Sequence, residues 1–183
     1  GSPFFNSLPL ESYGLQFYHP PVDAAHPFDN GDAAALIHSL DATAKSLGVD
    51  EQTYRKLLEP LVSDWTSIAG DVLGPMGIPR KPIAFTRFGL NAIKSAHAVS
   101  KAFSTEKAKG LWAGMAAHSL QPLTNIASAA IGFVLLAVGH LRGWPIPKGG
   151  SQQIANALAA HFTSLGGKIQ TDFYVRSLDQ VPS

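Results

Sequence analysis

The sequence predicts an α+β fold, mostly helical, and three observations carry that prediction. Apolar residues recur at helical spacing through Tyr54, Leu58, Leu61, Trp65, Ile68 and Val72, and again in several later stretches. The first 30 residues hold aromatic and proline-rich pieces that suit short extended segments. Lys168 to Leu178 alternates, with Ile169, Thr171, Phe173 and Val175 on one face, as a half-buried strand does. A length of 183 residues and an apolar share of 45% support one domain, residues 1–183, with a core of its own.

The elements follow in order. Leu15-Gln16-Phe17-Tyr18 and Pro20-Pro21-Val22 read as extended. Phe28-Asp29-Asn30-Gly31-Asp32 is a turn, and Asn30 or Asp32 can cap a helix whose apolar face is Leu36, Ile37, Leu40 and Leu47, ended by Gly48. A second helix starts near Asp50, with Glu51 favourable at its N-terminus and Pro60 expected to kink or break it. Gly74 to Pro79 forms a loop. Further helices fit Arg87 to Phe103, Ser104 to Ala117 with Ser104 or Thr105 as cap, and Asn125 to Leu141. Pro145 and Pro147 force extended backbone, and a last helix runs from Ser151 to about Leu165 with Gly166-Gly167 as its stop.

Composition narrows the chemistry. Fourteen Lys+Arg against thirteen Asp+Glu leave the net charge near zero without a Lys/Arg run, which argues against nucleic acid as a partner. There is no cysteine, so disulfides, thiolate nucleophiles and Cys-ligated metal centres are excluded. His118, His140 and His161 lie in apolar helical surroundings without ligand spacing to a carboxylate, and no metal is assigned. His118-Ser119 lacks a nucleophile elbow, and adjacent helix positions point apart. The amino terminus lacks a charged n-region and a long apolar run. The expected location is the cytoplasm, with peripheral membrane contact as an addition. Gly1-Ser2 reads as a remnant of expression, and the chain as an internal segment of a longer protein. The most apolar stretch, Ile126 to Leu141, is shorter than the roughly 20 residues of a spanning helix. It reads as a buried helix, with contact at a membrane surface as the alternative.

Pro147-Lys148-Gly149-Gly150-Ser151 places two glycines before a helix, where unpaired backbone N–H groups can approach an anion or a flat ring. The plainer reading is a loop-to-helix junction with Ser151 as N-cap. In its wider setting, Gly143 to Leu178 resembles the stretch of the phytoene desaturase and amine oxidase superfamily in which a Pro-x-Gly-Gly-Ser turn leads into a helix and then a Gly-Gly-x-Ile strand. Ala25-His26-Pro27-Phe28-Asp29-Asn30-Gly31, Arg87-Phe88-Gly89, Gly114 to Ser119 and Gly139 to Pro145 are similar to segments of bacterial phytoene-dehydrogenase-like oxidoreductases.

The resemblance implies a flavoenzyme whose cofactor is FAD and whose helical substrate-binding domain stands beside a small sheet. It implies that residues 144–183 abut the FAD domain. By the Gly-Gly-Ser-x-Gln match Gln153 lines the substrate cavity, with Gln152, Trp144 and His118 as further substrate-side residues. Gly149, Gly150, Ser151 and Val175 fall on the cofactor side, Val175 through the strand that meets the adenine end of FAD in this family. Each has a plain alternative, helix surface for Gln153 and an ordinary sheet position for Val175. No Gly-x-Gly-x-x-Gly turn occurs in the chain, so the pyrophosphate and the hydride-accepting ring require the remaining FAD-binding portion of the protein. No catalytic residue is assigned, and the segment alone is expected to be inactive. The family oxidises carotenoid precursors, amines and porphyrinogens through pockets that differ mainly in shape, which leaves the substrate's identity open; the near-zero net charge and apolar middle suit a small, lipophilic molecule better than a charged one. The rival reading is a helical binding or membrane-surface module using Ile126 to Leu141.

Overall fold

The computed structural model of the chain describes residues 2–75 and 77–181; Gly1 of the terminal pair and Met76 of the loop after the long helix lie outside the described residues. Helix accounts for 56% of the chain and strand for 7%, so the fold is α+β and mostly helical. The order is α1 (Pro3–Ser7), β1 (Phe17–Tyr18), β2 (Ala24–Pro27), β3 (Ala33–Leu36), α2 (Leu40–Ser46), α3 (Glu51–Leu73), α4 (Pro82–Ala92), α5 (Ala96–Ser100), α6 (Glu106–Ala117), α7 (Ala129–Arg142), β4 (Ile146–Pro147) and α8 (Gln152–Ser164). These elements fall into two compact units, one of His19–Pro145 and one of Gly1–Tyr18 with Ile146–Ser183.

In the larger unit, β2 and β3 pair antiparallel from Ala24 opposite Leu36 to Pro27 opposite Ala33. The Phe28 N–H donates to Asp32 O at 2.9 Å across the Asn30-Gly31 turn. This corrects the helix expected over Leu36 and Ile37: the Ala-Ala-Ala-Leu segment, a good helix former alone, is taken by the hairpin. The helix starts later, at α2, and its cap is Ser39, whose hydroxyl accepts from the Ala42 N–H at 3.2 Å, in place of Asn30 or Asp32.

α3 runs unbroken through Pro60 and buries Tyr54, Leu58, Leu61, Trp65 and Ile68, the stripe its spacing predicts. Packing of that stripe outweighs the hydrogen bond Pro60 removes. The expected helix from Arg87 to Phe103 is two helices, α4 and α5. α4 begins earlier, at Pro82, where a missing N–H costs nothing. The break at residues 93–95 is held by the chain ahead of α7, with the Ala127 N–H donating to Ile93 O at 2.9 Å and the Ala129 N–H to Lys94 O at 3.3 Å. α7 starts at Ala129 instead of Asn125, after Ala127 adopts a left-handed φ of 63°.

α7 is the central helix. It packs on α3 and α6 and buries Ala129, Gly132, Phe133, Leu136, Ala137, Gly139 and His140. The Phe133 ring meets Trp112 of α6 at 4.7 Å between centroids, and the Trp112 indole N–H donates to Ala96 O at 2.8 Å. Burial at this density drives assembly of the unit, while Ile131 on the outer side of α7 stays 38% exposed. The hollow among α3, α4 and α7, lined by Leu57, Pro60, Phe88 and Phe133, measures about 40 Å³.

The smaller unit joins Leu10 and Leu15 to Ala157 of α8, with Ile154 and Leu158 packed beside them. The Tyr13 hydroxyl lies 2.7 Å from Ser164 Oγ at the far end of α8. β1 and β4 pair antiparallel, Phe17 opposite Pro147 and Tyr18 opposite Ile146. The strand expected over Lys168 to Leu178 does not form: the segment has no ladder partner, and Ile169, Phe173 and Val175 are all exposed. Alternation creates a face for pairing, and a strand exists only once another strand satisfies its backbone groups.

Candidate functional site

The turn between β4 and α8 is the best-defined part of the predicted site. The Lys148 N–H donates to Gln16 O at 2.8 Å, extending the β1 and β4 pairing by one residue. The next two residues, Gly149 (φ 89°) and Gly150 (φ 93°), are both left-handed, a combination that side chains with a Cβ resist. The Gly150 N–H then returns to Pro147 O at 3.0 Å, and the Gln153 N–H to Gly150 O at 3.1 Å. Gln153 is half-buried, and its Cγ lies 3.3 Å and its Nε2 3.5 Å from where a Cβ on Gly149 would stand, whereas a Cβ on Gly150 would meet open space. The fold thus brings Gly149, Gly150 and Gln153 together on one surface.

The neighbours of that turn are placed differently from expectation. Ser151 stands at the N-cap position of α8 but does not cap it: its backbone is already helical, its side chain makes no capping bond, and it is exposed. Gln152 points its amide along the helix to Asn156 Oδ1 at 3.1 Å, also on the exposed side. Val175 lies in the same unit without a strand around it, which corrects its reading as a sheet residue.

Trp144 and His118 belong to the larger unit and meet each other there, ring centroids 6.3 Å apart and edge to face. The Trp144 N–H donates to Asp23 Oδ1 at 2.9 Å. His118 is exposed at the end of α6 and faces His26, whose own pKa is lowered first by burial and then by the charge of His118. His26 is seated against the bare backbone of Gly114, where any Cβ would overlap the imidazole.

A buried polar network in this unit has no counterpart in the sequence reading. His140 Nδ1 lies 3.2 Å from His38 O, an acceptor only, so Nδ1 carries the proton. Nε2 is then the acceptor, and the Tyr54 hydroxyl donates to it at 2.7 Å. Burial lowers the His140 pKa and raises that of Tyr54 well above its usual value, so both are neutral. His38 Nδ1 in turn donates to Gly139 O at 3.1 Å. The network ties α3, α7 and the segment after β3 together without a charge. Among the described residues, no group of three His, Asp or Glu side chains is arranged to hold a metal ion.

The chain is thus mostly helical α+β, with two left-handed glycines, Gly149 and Gly150, in the turn ahead of α8. No family model, curated protein or solved structure matches it.

Proposed function

We propose that this chain is the substrate-side part of an FAD-dependent oxidoreductase, dehydrogenase or amine-oxidase-like, of the phytoene desaturase and amine oxidase superfamily. The observation that carries the reading is the pair of left-handed glycines, Gly149 and Gly150, opening α8 with the Gln153 side chain folded against them. That arrangement sits inside the Gly143 to Leu178 stretch whose sequence resembles the superfamily.

The residues fit one half of such a site. Gly149 and Gly150 keep the turn free of Cβ atoms, so a flat ring or substrate can come close to the backbone. The Gln153 carboxamide, resting against Gly149, has its donor and acceptor groups unengaged by side-chain hydrogen bonds among the described residues, which suits orientation of a substrate. FAD would supply the hydride-accepting chemistry. The exposed, alternating segment from Ile169 to Val175 supports a partner for this chain, namely the FAD-binding portion of the same protein, whose sheet would satisfy its backbone.

The test is a flavin measurement at two lengths. The 183-residue chain titrated with FAD gives no stoichiometric yellow complex, and the whole protein that contains it copurifies with flavin. A flavin-free whole protein overturns the reading.

A further inference from the structure

Charge is segregated along this chain in a way its near-zero total conceals. Residues 72–105 hold Arg80, Lys81, Arg87, Lys94 and Lys101 and no Asp or Glu. Two of these cations are paired with carboxylates of α3, Arg80 with Asp71 at 3.2 Å and Arg87 with Asp64 at 3.1 Å, and the Asp50 carboxylate caps the far end of the stretch at Ser104 and Thr105. Lys81, Lys94 and Lys101 make no ion pair among the described residues, which leaves the surface positive.

The same stretch carries apolar side chains on its outside. α4 turns Phe85, Phe88 and Ala92 toward the core, yet Ile83 is 80% and Leu90 65% exposed on its outer side, sharing an open surface with Thr86 and Arg87. Ile78, at 94%, and Ile93, at 56%, flank the helix at either end. A helix that buries one apolar face and exposes a second, bordered by cations, has the make-up of an interfacial helix lying in the plane of a bilayer. No helix among the described residues is long and apolar enough to cross a membrane.

A second exposed apolar stretch, Ile169 to Leu178 in the smaller unit, differs in the feature that decides between partners. It carries Asp172 and Arg176, which leave it without net positive charge, and it alternates along an unpaired backbone, so it suits strand pairing and not an anionic surface. We infer that the outer face of α4, with Ile83 and Leu90 as insertion points and Lys81 and Lys94 as headgroup contacts, docks this protein on anionic lipid bilayers. The inference is independent of the flavin reading.

Flotation of the 183-residue chain with vesicles tests it. The protein rises with vesicles of phosphatidylcholine and phosphatidylglycerol, stays down with phosphatidylcholine alone, and is released by high salt. Ile83→Glu and Leu90→Glu each weaken binding by about tenfold or more, and Lys81→Gln and Lys94→Gln by about fivefold each. Val49→Glu, at an exposed apolar position outside α4 and its flanks, leaves binding unchanged. Far-UV circular dichroism on melting confirms that each variant folds, and the lysine variants, which remove no apolar contact, decide the matter if an acidic one does not. Absence from anionic vesicles, or binding indifferent to these four positions, overturns the inference. So does a dimer by light scattering that Ile83→Glu dissolves while vesicles capture nothing, which would assign the face to a second copy of the chain.

Discussion

The hydroxyl of Tyr54 on α3 and Nε2 of His140 on α7 stand 2.7 Å apart in the core, 86 positions apart in sequence. The direction of the bond is fixed by the other side of the ring, where Nδ1–H is committed to His38 O. Tyr54→Phe keeps the ring and its packing but leaves His140 Nε2 buried without a donor. The expected cost is about 1–3 kcal/mol, read as a lower midpoint in urea at unchanged slope. A Tyr54→Phe protein as stable as the wild type would show that the pair contributes nothing net.

The same histidine makes stability depend on pH. Burial lowers the folded-state pKa of His140 below the ordinary value of about 6.5, so the unfolded chain takes up the proton first. Its contribution is complete above about pH 6.5 and is lost as the pH falls from there through the folded-state pKa. His26, lowered chiefly by burial, acts with the same sign. Melting temperature should therefore fall between about pH 7 and pH 5, and His140→Gln together with His26→Gln should flatten that slope. A slope that survives in the double variant would place its origin elsewhere.

Asp50 presents a second long-range dependence. Its carboxylate, 1% exposed, accepts the Ser104 and Thr105 N–H groups at 2.8 Å each and the Thr105 hydroxyl at 2.6 Å, so it caps the approach to α6, 54 positions away, as well as preceding α3. Burial alone would raise its pKa, and the hydrogen bonds from Thr105 and Ser104 outweigh that and lower it. The stabilisation is present above the unfolded value near about pH 3.9 and disappears as the pH drops through the folded one. Asp50→Ala strands three donors and should cost about 2–4 kcal/mol at neutral pH, with the difference from wild type shrinking in acid.

These two contacts mark where the sequence stopped being informative. The stripe from Tyr54 to Ile68 and the Thr105 cap, whose hydroxyl accepts from the Ala108 N–H at 3.2 Å, are local, and spacing or residue type suffices to find them. Partners 54 or 86 residues apart leave no local trace. Ala33 to Leu36 misled for the converse reason, since its helix propensity is real but pairing with Ala24 to Pro27 overrides it. At the candidate site, the Gly149-Gly150 turn was legible because left-handed backbone selects glycine. The idle hydroxyl of Ser151 was not, because capping depends on geometry that the residue type only permits. The cationic stretch around α4 was legible too, but a net charge summed over the chain averaged it away.

Close approach at Gly114 gives a packing test. A methyl group there would overlap the His26 imidazole, whose Nε2 is already buried without a partner. Gly114→Ala gains helix propensity within α6 but must expel the ring, and the steric term is the larger, so destabilisation by about 1–3 kcal/mol is expected. Gly114→Ala combined with His26→Ala should recover most of that loss. If the double variant is no better than Gly114→Ala alone, the clash lies with other neighbours.

Gln153 separates a site from a surface. Its side chain rests against Gly149 and makes no hydrogen bond among the described residues, so Gln153→Ala should leave the melting temperature nearly unchanged. On the proposed flavoenzyme reading, the same variant in the whole protein should lower kcat/KM by about tenfold, or ~1.4 kcal/mol, if the amide orients substrate. Gly149→Ala acts on both counts. It forces an L residue to φ 89° and pushes Cβ into 3.3 Å contact with Gln153 Cγ, costing about 1–2 kcal/mol of stability while displacing the amide. The informative comparison is Gln152→Ala, one position earlier on the exposed side of α8. If Gln152→Ala and Gln153→Ala lower activity equally, the turn is serving as a helix start and the substrate lies elsewhere; a loss confined to Gln153 and Gly149 ties the chemistry to the face the two glycines leave open.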